Sequence, residues 1–257
     1  MIRILLICIG LLFVNCKSSQ KYGNELEYAF SINSEKELLE FLEKWHKNYS
    51  PITEIDKSNL SEIVKQAYIV FEKFYNPQDS TIGENFERQK LLYRANGYIV
   101  IQNTIDIIIT NKDKFDNINE MDLLKEINEE IEIEDFRPNI SINTFKKLYF
   151  TDDYKILFKK YLLSNDEENG YIEINLKQKE LVFEKVKFLN NELRIFPSHW
   201  LKYWYIIDHP SVSRIYFNKD ITDAMVCYNI LYQSCEAFYK RINSDWTFIK
   251  SEITFTE

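Results

Sequence analysis

The feature that most constrains the fold is a change of character at Gly170. Beyond it come short β-branched and aromatic segments, Tyr171 to Leu176, Leu181 to Phe188, Arg214 to Phe217, Asp223 to Tyr232, Cys235 to Ile242 and Trp246 to Phe255. Polar turns such as Gln233-Ser234 and Asn243-Ser244-Asp245 separate them, which predicts an antiparallel meander. Before Gly170 the apolar period is helical. Ser34-Glu35-Lys36-Glu37 is a capping box. Behind it Leu38, Phe41, Leu42, Trp45 and Tyr49 share one stripe that ends at Pro51. Leu60, Ile63, Val64, Ala67, Phe71 and Phe74 form a second stripe, and Thr151-Asp152-Asp153 opens a third through Tyr154, Leu157, Phe158, Tyr161 and Leu162. An acidic helix is expected over Glu120 to Glu130 and a strand over Tyr98 to Thr110. Helices first and strands last predict an α+β fold, with N-terminal helices packed on a curved antiparallel sheet built mainly by the C-terminal third.

The N-terminus reads as an export signal. One positive charge, Arg3, precedes an unbroken apolar run from Ile4 to Val14, and Cys16 follows. Eleven apolar residues make a helix of about 16 Å against about 30 Å of bilayer hydrocarbon, too short to span. Residues 1–15 are therefore expected to be a signal peptide, 16–26 a flexible polar tether, and 27–257 a single α+β domain with the meander in 170–257. At 45% hydrophobic residues and only five Gly and five Pro, that stretch can bury a sizeable core and holds no second linker.

The chain carries 40 acidic against 32 basic residues, a formal charge of −8. Nucleic acid, which wants a basic stripe, is disfavoured as a partner; basic proteins are not. Of four cysteines, Cys8 lies in the apolar run and Cys16 at its end, leaving Cys227 and Cys235. A two-residue turn at Gln233-Ser234 would set Cys227 opposite Lys240 and Tyr228 opposite Tyr239. The two thiols would then lie about 16 Å apart along the ladder, too far for a disulfide. The same register places Val226, Tyr228 and Ile230 on one face with Ala237 and Tyr239, facing the helices.

Leu12-Phe13-Val14-Asn15-Cys16 resembles the bacterial lipobox, with Asn15 where that motif carries a small residue. The resemblance implies acylation of Cys16, including a palmitate-type chain, and attachment to a bacterial membrane. Lys17 in place of a retaining Asp points to the outer membrane, with the protein facing the periplasm. The segments Asp223 to Tyr228, Glu236 to Lys240 and Asp245 to Ile249 resemble the last three strands of nuclear-transport-factor-like and polyketide-cyclase-like cone domains, over about ninety residues. Phe196-Pro197-Ser198-His199-Trp200-Leu201-Lys202-Tyr203-Trp204 is similar to a segment of uncharacterised bacteroidete lipoproteins. The cone likeness implies a pocket; it brings no activity with it.

The densest candidate constellation is His199, Trp200, Tyr203, Trp204, Asp208 and His209, to which a cone would add Tyr228, Tyr239 and Trp246. Two imidazoles and a carboxylate suit acid–base work or a pocket, while aromatic packing against the sheet is the plainer role. The spacing from His199 to His209 fits no standard metal motif. Asn165 to Gly170 begins like a calcium loop, but its twelfth position is Leu176 rather than Glu. No G-x-S-x-G, G-x-x-x-x-G-K, C-x-x-C or H-E-x-x-H occurs. Glu129 to Asp135 alternates acid with isoleucine, the pattern of a half-buried edge strand or a docking surface for a basic partner. Three functions follow in order: a lipoprotein module binding a small apolar or aromatic ligand or a protein, an immunity-type protein neutralising a basic toxin, and a pocket hydrolase or isomerase using His199 and Asp208. Binding is favoured over catalysis, and no cofactor is expected.

Overall fold

The computed structural model describes residues 22–75, 97–115, 118–142, 145–164, 167–168, 171–173, 175–197, 203–208, 210–230 and 233–256. The apolar run, Cys16 and the segment 165–166 of the calcium-like stretch lie outside them. The fold is α+β. Its labelled helices are α1 (Glu35–Asn48), α2 (Glu54–Ser58), α3 (Glu62–Phe74), α4 (Glu120–Leu123), α5 (Asp152–Tyr161) and α6 (Lys179–Leu189). Its first strands are β1 (Tyr98–Gln102), β2 (Ile105–Thr110), β3 (Ile127–Ile133), β4 (Lys146–Phe150), β5 (Glu167–Glu168) and β6 (Tyr171–Glu173). Then come β7 (Phe196–Pro197), β8 (Tyr203–Tyr205), β9 (Ser211–Phe217), β10 (Asp223–Ile230), β11 (Gln233–Ile242) and β12 (Asp245–Thr256). The chain forms two compact units, one from residues 1–49, 95–101 and 145–207, the other from 50–94, 102–144 and 208–257.

The first unit is an aromatic core wrapped by helices. Residues 22–31 are helical and Leu26 is fully buried, so the expected tether does not reach residue 26. Ser34 caps α1 by accepting from the Glu37 N–H at 3.3 Å, as its capping box predicts. The α1 stripe then delivers Trp45, whose ring stacks on Tyr154 of α5 at 4.2 Å while its Nε1–H donates to the Tyr149 carbonyl at 2.9 Å. Phe41, Phe150 and Phe158 pack around that pair. Residues 181–188, expected as a strand, belong to α6. Their β-branched and aromatic content suggests a strand, yet Val182, Val186 and Leu189 sit at helical spacing and all three are buried. Lys185 on the same helix is 4% exposed and is satisfied by the Tyr161 carbonyl at 2.8 Å and by Glu27 at 2.6 Å. The strands of 170–257 therefore do not form one meander: β5, β6, β8 and β7 make a small sheet in this unit, beside a β1–β4 pair.

The second unit is built on a six-stranded sheet in the order β12-β11-β10-β9-β2-β3, antiparallel except for β2 beside β9. The expected single strand 98–110 breaks at Asn103-Thr104 into β1 and β2, and the expected acidic helix stops at Leu123 before the chain turns into β3. One sheet face takes α3. Phe74 meets Tyr228 at 4.7 Å between ring centres, and Trp246 Nε1–H donates to Gln66 Oε1 at 2.7 Å. The other face packs Met225, Cys227 and Phe238 against Phe115 and Leu123. With both faces covered, seven of the eight residues of β10 are buried.

The β10–β11 hairpin adopts a register four positions from the expected one. Ile230 faces Gln233, Tyr228 faces Cys235, Cys227 faces Glu236 and Asp223 faces Lys240. Gln233 and Ser234 are strand residues rather than a turn, because Ser234 gains a partner there: its Oγ–H donates to Asn229 Oδ1 at 3.0 Å. A shift of four keeps every side chain on its predicted face, since the pleat has a period of two. Both cysteines are buried and unpaired. They stand on successive rungs and so point to opposite faces, which excludes a disulfide on grounds of direction rather than distance.

Candidate functional site

The residues singled out in the sequence fall in both units or outside the described residues. His199, Trp200 and His209 lie outside the described residues. Tyr203 contributes backbone to β8. Trp204 of the first unit is buried, with its ring edge-on to Phe183 at 5.2 Å. Asp208, Tyr228, Tyr239 and Trp246 belong to the second unit. Asp208 is 1% exposed, and its carbonyl accepts from the Tyr75 hydroxyl at 3.4 Å. Tyr228, Tyr239 and Trp246 share one sheet face, all buried: Tyr228 against Phe74, Tyr239 beside Phe248 and Trp246 beside Phe217. Their rings fill the layer beneath α3 as core.

A different constellation emerges from the sheet register. Glu132 faces Asp106, Asp106 faces Arg214, Arg214 faces Cys227, Cys227 faces Glu236 and Glu236 faces Glu252. One rung across all six strands thus carries ionisable side chains on a single face, with side chains on adjacent strands about 5 Å apart at Cβ. Above it sits Glu120, the first residue of α4. Its Oε1 accepts from the Tyr216 hydroxyl at 3.0 Å and from Arg214 Nη1 at 3.4 Å, while its backbone N–H donates to Glu236 Oε1 at 3.0 Å. The second oxygen of Glu236 is buried and has no partner among the described residues. Burial pushes the Glu236 carboxyl above its ordinary value, outweighing the Glu120 N–H, and the Glu120 and Glu252 charges add to the rise. Burial also raises Asp106 and, far more strongly, the Cys227 thiol, which is inert as a nucleophile. Arg214 is the one cation on the rung. Chemically the arrangement buries carboxyls that hold their protons more tightly than ordinary ones, at the inner end of an acidic face.

That face runs out to β3, at one edge of the sheet among the described residues. Glu129, Glu130 and Glu132 are exposed on that strand, Glu130 and Glu132 on the rung's face and Glu129 on the other, followed by exposed Glu134 and Asp135. The edge strand expected from the alternating pattern is there, more open than the half-buried strand predicted. Among the described residues no group of three or more His, Cys, Asp or Glu converges as a metal site, and no helix is long and apolar enough to cross a membrane.

In the first unit an open groove of about 820 Å³ runs along α1, past Leu39, Glu43, Lys47, Tyr98 and Lys146. Hydrogen bonds from Lys146 and Lys47 hold the Glu43 carboxyl down at about 2. Its charges pair with one another, so it presents little unmatched potential to a ligand. No family model, curated protein or solved structure matches the chain.

Proposed function

We propose that this chain is an exported, lipid-anchored binding protein whose acidic sheet edge takes a basic polypeptide. The observation that carries the reading is β3 itself, an edge strand with exposed Glu129, Glu130 and Glu132 and no Lys or Arg of its own. An edge strand offers unpaired backbone N–H and C=O groups to an incoming strand. Its carboxylates repel a second acidic edge and attract a basic one, which gives selectivity and a faster encounter. Neutralisation of a basic toxin is one form this activity takes. The apolar run from Ile4 to Val14 ending at Cys16 supports export and anchoring.

The test is affinity capture from the exported protein fraction on the parent chain and on Glu129→Lys/Glu130→Lys/Glu132→Lys. A partner of basic isoelectric point, held by the parent, released by raised salt and lost with the triple variant, is the expected result. Equal capture by both chains would sink the acidic edge as the binding surface.

A further inference from the structure

The opposite edge of the same sheet is β12, twelve residues long and the last strand in the order. Among the described residues nothing pairs with its outer side. Phe248, Ile249 and Phe255 are each more than half exposed on it. A long apolar edge of this kind is normally blunted or paired. The sequence of β12 reads Asp245-Trp246-Thr247-Phe248-Ile249-Lys250-Ser251-Glu252-Ile253-Thr254-Phe255-Thr256, and it is self-complementary about Ser251.

We propose that β12 pairs with β12 of a second copy of this chain, antiparallel and centred on Ser251. A two-fold axis perpendicular to a sheet keeps each side chain on its own face, so it must pass through a residue and not between two. Centring on Ser251 sets Lys250 opposite Glu252 of the other copy, and Glu252 opposite its Lys250. Centring on Lys250 or on Glu252 sets like charges face to face instead, which destabilises the pair. Within one chain Lys250 Nζ already lies 2.8 Å from Glu252 Oε2, so both head groups occupy one face at the centre of the strand. Pairing joins the two ion pairs into a ring of four alternating charges.

The irregularities of β12 fit the same axis. Ile249 and Thr254 are the two residues skipped in its pairing with β11. One extra residue is thus inserted on each side of Ser251. Beyond those insertions Thr247 and Phe255 return to a common face, as do Trp246 and Thr256, so an antiparallel partner stays in step to both ends. Thr247 faces the partner's Phe255, covering a ring that is 59% exposed in the single chain.

The experiment is sedimentation of the full chain, extracted in a nonionic detergent, for the parent, Lys250→Glu, Glu252→Lys and the double exchange. A dimer is expected for the parent and the double exchange, and monomers for each single variant alone. Mixing the two single variants should restore a mixed dimer, because acidic and basic centres then meet. Ser251→Cys should form a disulfide-linked dimer on a non-reducing gel, since facing residues in a ladder lie within disulfide reach. A monomeric parent, dimers insensitive to every charge change, or a Ser251→Cys chain that does not cross-link would each overturn the proposal.

Discussion

Glu236 places a carboxylate where only one of its oxygens has a partner among the described residues, and its elevated pKa makes folding depend on pH. An acid whose folded pKa lies above its unfolded value binds protons more readily when folded, so stability falls as pH rises through that interval. For Glu236 the interval opens at its ordinary value of 4.5 and runs upward. Glu236→Gln keeps an oxygen for the Glu120 N–H and removes the buried charge. It is expected to be more stable than the parent at pH 7 by about 1 kcal/mol, the lower end of what an unserved buried group costs. The two chains should converge below pH 4.5. Urea titrations of both across that range check it, and a pH-independent loss in the variant would show that the carboxylate itself holds the structure. None of this was legible in the sequence. Asp106, Arg214, Cys227 and Glu236 come from four strands, and only the ladder register sets them in one row. The stretch around His199 is compact in sequence, whereas the ionisable row is assembled across a sheet and no local spacing signals it.

At the scale of elements, the β10–β11 hairpin shows which signals carried and which did not. Its two faces were predictable, because alternation survives any even change of register. Its pairing was not, because Gln233-Ser234 looks like a turn until Asn229 is seen opposite Ser234. Tyr228 is 3% exposed beneath Phe74, so Tyr228→Ala should cost about 3–5 kcal/mol, the range for emptying an aromatic site in a core. Asn229→Ala, at a half-buried position, should cost less, about 1 kcal/mol for a hydrogen bond such as the one it accepts from Ser234. Chemical denaturation midpoints that coincide for the two variants would contradict the packing of this face. Helix α6 fails as a strand for a related reason: in eight residues, aromatic and β-branched composition outweighs a weak helical period, although Val182, Val186 and Leu189 do keep it. The capping box of α1 and the stripe ending in Trp45 were readable because cap, period and stop agree.

In the whole molecule, neither unit is one continuous piece of chain: residues 1–49, 95–101 and 145–207 belong to one and 50–94, 102–144 and 208–257 to the other. A single cut therefore frees neither, which is why composition along the chain shows no boundary between them. Among the described residues the sheet of the second unit ends in two edges of contrasting character, acidic β3 and apolar, self-complementary β12. The membrane attachment proposed for this chain rests on residues outside the described ones. With a formal charge of −8 the chain is repelled by anionic headgroups, and among the described residues no helix spans a bilayer. Cys16, one residue beyond the apolar run, is where an anchor is expected, and it needs more than one acyl chain because a single chain binds only marginally. Cys16→Ala should move the protein from the membrane pellet to the soluble exported fraction, with its urea midpoint unchanged because the anchor adds nothing to either core. Fractionation after a high-salt wash separates lipid anchoring from charge. If the variant still pellets with membranes after that wash, while detergent releases it, an uncleaved apolar N-terminus rather than a lipid is the anchor.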